Sequence, residues 1–482
     1  MNKLIILAMA GIMFSSTTKA QTGAIGDKEL KEIESSFKLD AKNKALMNAI
    51  SNNSINDLAL DRENLPKADH MFAYRVKTSG ITNQKQSGRC WMYTGLNVLR
   101  PKVRDHFNLS SFEFSENYLY FWDLFEKSNL FLEEIIRSAD KKQDNKRVEY
   151  LLKNVIGDGG VWNSLANLID KYGAVPKSIM PETHQSENTR MLNRILKEKL
   201  RQDALELRKA IPIQAAPSKQ LKNIKLKEKA PLNIAFLEKK KIQMMKEVYR
   251  ILALSLGVPP KEFEWRYKDK DGKISAPKKY TPKSFVKEAI PTLNIQEDYV
   301  LLMNDPTREY YKLYEIDLDR NVVEGKNWLY INLPAKELKK YALASIKANE
   351  AMYASCDVGK QLNRDQGVLD IHNYDYANLF GIKLSMNKAQ RIQTFQSGSS
   401  HGMALVAVDV DANGKTTYWQ FENSWGASSG HNGFLTFTDQ WFSEYMFRIV
   451  VLKKFVEPKI LDILKQTPTL LPPWDPMFKM DE

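Results

Sequence analysis

Apolar positions recur along the chain with two different periods, and the change of period divides it into parts. Between Glu29 and Asn52 the spacing of Leu30, Ile33, Phe37, Ala45, Met47 and Ile50 is helical. Phe72 to Val76 alternates as a short strand does. After Cys90, the residues Met92, Leu96 and Leu99 fall at i, i+4 and i+7. They predict a helix that begins at or beside the cysteine and stops near Pro101. Ser115 is placed to cap a further helix whose stripe is Tyr118, Phe121, Trp122 and Phe125. Asp158-Gly159-Gly160 reads as a turn, followed by a helix over Leu165–Tyr172 that ends at Gly173 with Pro176 just beyond.

From Glu187 to Gly257 the chain becomes rich in Lys and Glu. Helical spacing appears at Leu192, Ile195, Leu200 and Leu205 and again at Ile242, Met245, Val248 and Leu252. Pro212, Pro217 and Pro231 interrupt it, so residues 187–290 read as a helical, basic insertion joined by a loose loop. The period then shortens. Tyr299–Met303, Trp328–Asn332, Met403–Val408, Thr416–Phe421, Gly433–Phe437 and Phe447–Val451 are strand-like, with a helix over Ala335–Ala348. Asp411-Ala412-Asn413-Gly414 turns Met403–Val408 back onto Thr416–Phe421 as a hairpin. Residues 458–482 form a Pro-rich arm carrying Trp474-Asp475-Pro476-Met477. Helices first and strands later make an α+β class.

With 482 residues, 43% of them hydrophobic, the chain can bury a large core. Its first 20 residues are set apart: Lys3, an apolar stretch over Leu4–Phe14 too short to span a bilayer, and Thr18-Lys19-Ala20 before Gln21. That is the pattern of a cleavable export signal, which places the mature protein in the periplasm or outside the cell, with no membrane attachment after cleavage. The domain expected beyond it is 21–482.

Charge and cysteine content narrow the classes. The net charge is +13, concentrated between Arg190 and Arg250 in runs such as Lys222–Lys227 and Lys239–Lys241. Such a surface is compatible with nucleic acid or an acidic polymer, although a solvated helix face is the commoner meaning. Two cysteines, Cys90 and Cys356, do not make a disulfide scaffold. One bridge between them is sterically conceivable, but Cys356 closes the apolar run Ala351–Ser355 and reads as a buried structural residue, leaving Cys90 free. No metal-ligand spacing is present and no cofactor is expected.

A cysteine at a helix start meets unpaired N–H groups and the positive end of the helix dipole, which favour a thiolate. A thiol nucleophile also needs a base, and the base an orienting group. His401 begins the hairpin's first strand and Asn423 follows its second, so antiparallel pairing sets them side by side. Asn423 can then hold one imidazole nitrogen and leave the other for the thiol, with Trp425 shielding that bond. His431, in a Gly-rich loop near the same end, is the one competing histidine to test.

Gln84 six residues before Cys90-Trp91, then His401-Gly402, then Asn423-Ser424-Trp425-Gly426, resembles the papain-like cysteine peptidases. Their His and Asn usually lie roughly 130–150 residues after the Cys. Here His401 comes much later, and the insertion accounts for much of the excess. Ser87-Gly88-Arg89 before Cys90, with Cys356-Asp357-Val358-Gly359-Lys360, Trp441–Tyr445 and Trp474-Asp475-Pro476-Met477, is similar to the bleomycin hydrolase/aminopeptidase C branch. The resemblance implies a papain-like fold: a helical left lobe and an antiparallel β right lobe, plus the insertion and the arm. It implies a Cys90–His401–Asn423 triad, with Gln84 and the Cys90 N–H as oxyanion hole. Gly159 and Gly160 would line the substrate cleft. The arm's terminal carboxylate, at or near Glu482, would meet the free amine of a peptide substrate. It implies further a cysteine aminopeptidase assembled as a homohexameric ring, with possible nucleic-acid affinity. An endopeptidase of the same fold, or a basic ring that only binds nucleic acid, are the alternatives.

Overall fold

The computed structural model describes residues 23–64, 69–210 and 234–478. Residues 1–20, expected as an export signal, the basic stretch from Pro212 to Pro231 with Lys222–Lys227, and Glu482 lie outside the described residues. Two compact units are present, one reaching to Leu60 and one starting at Asp61.

In the first unit, the helical pattern over Glu29–Asn52 forms two helices rather than one, Asp27–Ser35 and Ala41–Asn52. Asp40 is the reason: extended at ψ 178°, it caps the second helix by accepting the Asn43 N–H at 2.8 Å.

In the second unit, the cysteine helix spans Cys90–His106. It runs through Pro101 instead of stopping there. A proline inside a helix removes one backbone donor, and burial outweighs that loss here. Leu96, Val98, Leu99 and Val103 are all buried, flanking Pro101 on the core side. Ser115 caps Glu116–Arg137 as the spacing predicts, accepting the Tyr118 N–H at 3.0 Å. That long helix packs against Trp162–Tyr172 and against the two insertion helices, Arg190–Ala210 and Ile234–Leu256.

Among the described residues the strands form, besides a separate antiparallel pair of Phe263–Trp265 with Lys278–Tyr280 within the insertion, a 12-stranded sheet. From edge to edge it runs through Thr469–Leu471, Lys312–Ile316, Trp328–Asn332, Tyr299–Met303, Met446–Leu452, Met352–Cys356, His401–Val410, Thr416–Glu422, Phe434–Thr438, Val368–Leu369 and Leu362–Asn363. Tyr74–Arg75 pairs separately with His401–Val410. Most pairs are antiparallel, but Tyr299–Met303 with Trp328–Asn332, Lys312–Ile316 with Thr469–Leu471, and Phe434–Thr438 with Val368–Leu369 are parallel.

The arm is therefore part of the sheet. Its Leu471 and Met477 are buried with Val161, Met303, Trp328 and Phe447. Burying a side chain of that size stabilises by roughly 1.5–3 kcal/mol, so the arm is held by packing as well as by pairing. Two polar contacts add to it: Asp475 forms an ion pair with Arg308, and Arg448 donates to the Met477 carbonyl at 3.2 Å.

Candidate active site

The hairpin delivers what its sequence predicts. His401 opens one strand, the partner strand ends at Glu422, and Ala404 faces Glu422 in the register. His401 Nε2 lies 2.9 Å from Asn423 Oδ1. The same oxygen accepts the Ser424 N–H at 2.8 Å. A backbone N–H only donates, so the atom facing it is the amide oxygen, and the imidazole nitrogen on that oxygen must carry a proton. Nδ1 is then the basic nitrogen. The indole of Trp425 covers the ring, with centroids 4.8 Å apart.

The helix brings Cys90 to that histidine from the other side, packing against the His401–Val410 strand. Arg89 occupies the N-cap and Cys90 is the first helical residue. Burial pushes the Cys90 thiol up. The His401 charge and hydrogen bond, with backbone contacts at Gly402 and Trp91, more than reverse this, leaving it below the ordinary thiol range. Burial likewise lowers His401, and the Cys90 charge, its hydrogen bond and the bond to Asn423 raise it above the usual imidazole value. Both shifts favour the same state, a thiolate beside an imidazolium.

Gln84 is fixed at both ends of its amide. Its Oε1 accepts from Ser424 Oγ at 2.7 Å, and its Nε2 donates to the Ser87 carbonyl at 2.6 Å. One amide hydrogen remains for a ligand. The Gln84 N–H also donates to the Ser424 carbonyl at 2.8 Å, so one residue next to Asn423 positions the glutamine twice.

Gly160 lies against Trp91: a Cβ there would sit 2.6 Å from the indole. Glycine is required because the indole occupies that space. The Gly159 carbonyl accepts from Lys127 Nζ, which is held in turn by Asp123 at 2.6 Å. Thus Gln84, Cys90, His401, Asn423 and Trp425 are brought together, with Gly160 on the indole of the residue after Cys90. His431 is not used in this way: it stacks on His70 with centroids 3.9 Å apart.

Several residues of this constellation escaped sequence reasoning. Ser424 was visible only as the neighbour of Asn423. Arg100, on the cysteine helix, makes a buried ion pair with Glu422 at 2.7 Å, joining the helix to the strand end that precedes Asn423. Arg89 is fully buried against Glu182 at 2.9 Å and lies over the rings of Tyr93 and Tyr120. The Asp158 carboxylate accepts bonds from four separate residues. Among the described residues no group of acidic, Cys and His side chains could hold a metal ion, and no helix is long and apolar enough to cross a membrane.

Residues 24–478 match the Peptidase C1-like family. The chain is 40% identical over 435 residues to a bleomycin hydrolase of Mus musculus, covering 88% of this chain and 92% of that one. It is 37% identical over 443 residues to an aminopeptidase C of Streptococcus thermophilus, covering 92% and 95%. The crystal structure of PepW from Lactobacillus rhamnosis superimposes with a TM-score of 0.88 at 36% identity, over 96% of this chain and 100% of that one. A papain-like α+β fold shared along nearly its whole length, around a thiol and an imidazole that shift each other's protonation, makes this chain a member of the Peptidase C1-like family and a cysteine peptidase.

Proposed function

We propose that the protein is a cysteine aminopeptidase that removes residues from peptides with a free N-terminus. In this reading the Cys90 thiolate attacks the scissile carbonyl carbon, and the π-electrons move onto oxygen. The Gln84 amide and the Cys90 N–H hold that oxyanion, a contribution of about 3–4 kcal/mol in such sites. The His401 imidazolium gives its proton to the departing amine, and the C–N bond breaks to leave a thioester. His401, now neutral, takes a proton from water. The hydroxide adds, the C–S bond breaks to release the carboxylic acid, and the thiolate–imidazolium pair is restored. Asn423 keeps the ring in one tautomer throughout.

The observation carrying the exopeptidase half is the course of the arm. Its Met477 lies in one buried cluster with Val161, the residue following Gly159 and Gly160, which would line the cleft. An arm fixed there shortens the cleft on one side of the thiol, and a carboxylate at its end would pair with a substrate ammonium. The aminopeptidase C relatives support the same reading. Aminoacyl and N-acetylated fluorogenic peptides, given to the intact chain and to a variant without residues 479–482, test it. The expected result is turnover of the free amine alone by the intact chain, with blocked peptides accepted after truncation. Equal turnover of both peptides by the intact chain would favour an endopeptidase. The same family reading carries a homohexameric ring, checked by sedimentation; the signal-like pattern of residues 1–20, not the family, carries an exported protein, checked by fractionation. Weak binding of nucleic acid by the basic helices would appear as a salt-dependent affinity.

A further inference from the structure

The inserted helical segment is joined to the loop that precedes the nucleophile. At its head, Gln86 and Asn188 form a parallel bridge, and the Gln86 N–H donates to the Glu187 carbonyl at 2.9 Å. Asp158 makes the second joint. Its Oδ2 accepts the Gly88 N–H at 2.9 Å and the hydroxyl of Thr189, the residue just before helix Arg190–Ala210. Its Oδ1 accepts the Tyr120 hydroxyl at 2.7 Å and the amide of Asn193, in the first turn of that helix. Its carbonyl accepts Trp91 Nε1 at 2.6 Å. A Cβ on Gly88 would lie 2.8 Å from the Asp158 Cβ, so the two chains are in direct contact.

All of these donors are neutral. The carboxylate is partly buried, with no cation among the described residues in hydrogen-bond contact, and the bonds hold it below the usual Asp range despite the upward push of burial. A buried ion without a counter-ion is costly unless every lone pair is used, and four donors use them here. The same residue stands at the head of the Gly159–Gly160 cleft wall. One side chain therefore ties together the cleft wall, the long helix through Tyr120, the insertion, and the backbone two residues before Cys90.

We propose that Asp158 is a positioning residue for acyl transfer: by clamping Gly88 to the head of the inserted helix, it fixes the loop that sets Gln84 and the Cys90 N–H around the oxyanion. The inserted segment thereby becomes a buttress of the catalytic loop. This rests on the oxyanion-hole reading above.

The test compares Asp158→Asn, Thr189→Val, Thr189→Ser and Gln84→Ala, with the Asp158→Asn/Gln84→Ala double variant. Turnover of an aminoacyl fluorogenic peptide is read beside the rate of Cys90 alkylation, which involves no oxyanion. Asn at position 158 keeps the shape but replaces one accepting oxygen by an NH2 donor, which then faces either the Gly88 N–H and Thr189 hydroxyl or the Tyr120 hydroxyl and Asn193 amide. Small misplacements at positioned sites cost up to about 10²-fold in rate, so the expected result is a kcat lowered by roughly tenfold to a hundredfold. KM and alkylation stay as in the parent. In the Gln84→Ala background the loss shrinks, because the group being positioned has gone. Thr189→Ser retains activity and Thr189→Val loses part of it, which decides the matter if Asp158→Asn does not fold. An undiminished kcat in folded Asp158→Asn, a full loss repeated in the double variant, or indistinguishable Thr189 variants would overturn the proposal. If instead Gln84→Ala itself is fully active, it is the oxyanion reading that fails.

Discussion

Two thiols flank the same histidine and have opposite characters. Cys90 starts a helix on one side of His401, and Cys356 ends the strand on the other, directly opposite His401 in the register. The backbone carbonyl of His401, 4.0 Å away, accepts weakly from the Cys356 thiol. That thiol is fully buried, and burial together with the charges of Asp357 and Cys90 pushes it well above the ordinary thiol range. Cys90 is partly exposed and moves the other way. What separates them is what each sulfur faces: ring nitrogen and backbone N–H groups in one case, a carbonyl and apolar strands in the other. Proximity to a histidine in the fold is not enough; the side chain must present its free nitrogen.

The comparison can be broken at several strengths. The largest expected effect is that Cys90→Ala lowers kcat/KM by on the order of 10³-fold or more, as removal of a nucleophile does. Cys356→Ala leaves it intact and costs roughly 1 kcal/mol in a urea titration. Comparable activity losses in the two variants would erase the distinction. Next, Gln84→Ala should reduce kcat by about 10²–10³ without changing the rate at which Cys90 is alkylated. Gly160→Ala forces a Cβ into the Trp91 indole and should destabilise by roughly 1–3 kcal/mol, read by thermal unfolding, with a raised KM. The smallest effect is a displacement of the pH profile. The proposed mechanism requires deprotonated Cys90 and protonated His401, so the acid limb follows the lowered thiol and the alkaline limb the raised imidazole. Asn423→Ala removes an acceptor that favours the imidazolium, lowers the His401 pKa and moves the alkaline limb to lower pH. An unmoved limb would remove Asn423 from that role.

How much of this could be read from the chain varies with distance in sequence. The hairpin was legible because Met403–Val408 and Thr416–Phe421 are continuous around a strong turn, so His401 and Asn423 follow from local pairing. The start of the cysteine helix was legible from three apolar residues. Its end was not, because Pro101 is carried by the burial of Val98, Leu99 and Val103 against other parts of the fold. The break at Asp40 turns on a cap that period counting does not see. The arm's parallel pairing with Lys312–Ile316 joins segments far apart along the chain, and neither carries a pairing signal of its own. Asp158 looked like part of a glycine turn, since its four donors come from Gly88, Tyr120, Thr189 and Asn193, spread over three other segments. The meeting of Cys90, His401 and Asn423 was readable, and the struts that hold them were not.

The most direct measurement is alkylation of the folded protein across pH with a neutral haloacetamide, the modified residue being located by peptide mass spectrometry. The account predicts a single modified residue, Cys90, reacting at pH values well below those at which an ordinary thiol ionises, with Cys356 labelled only after unfolding. Labelling of Cys356 in the folded protein, or a Cys90 rate that tracks an unperturbed thiol, would contradict it.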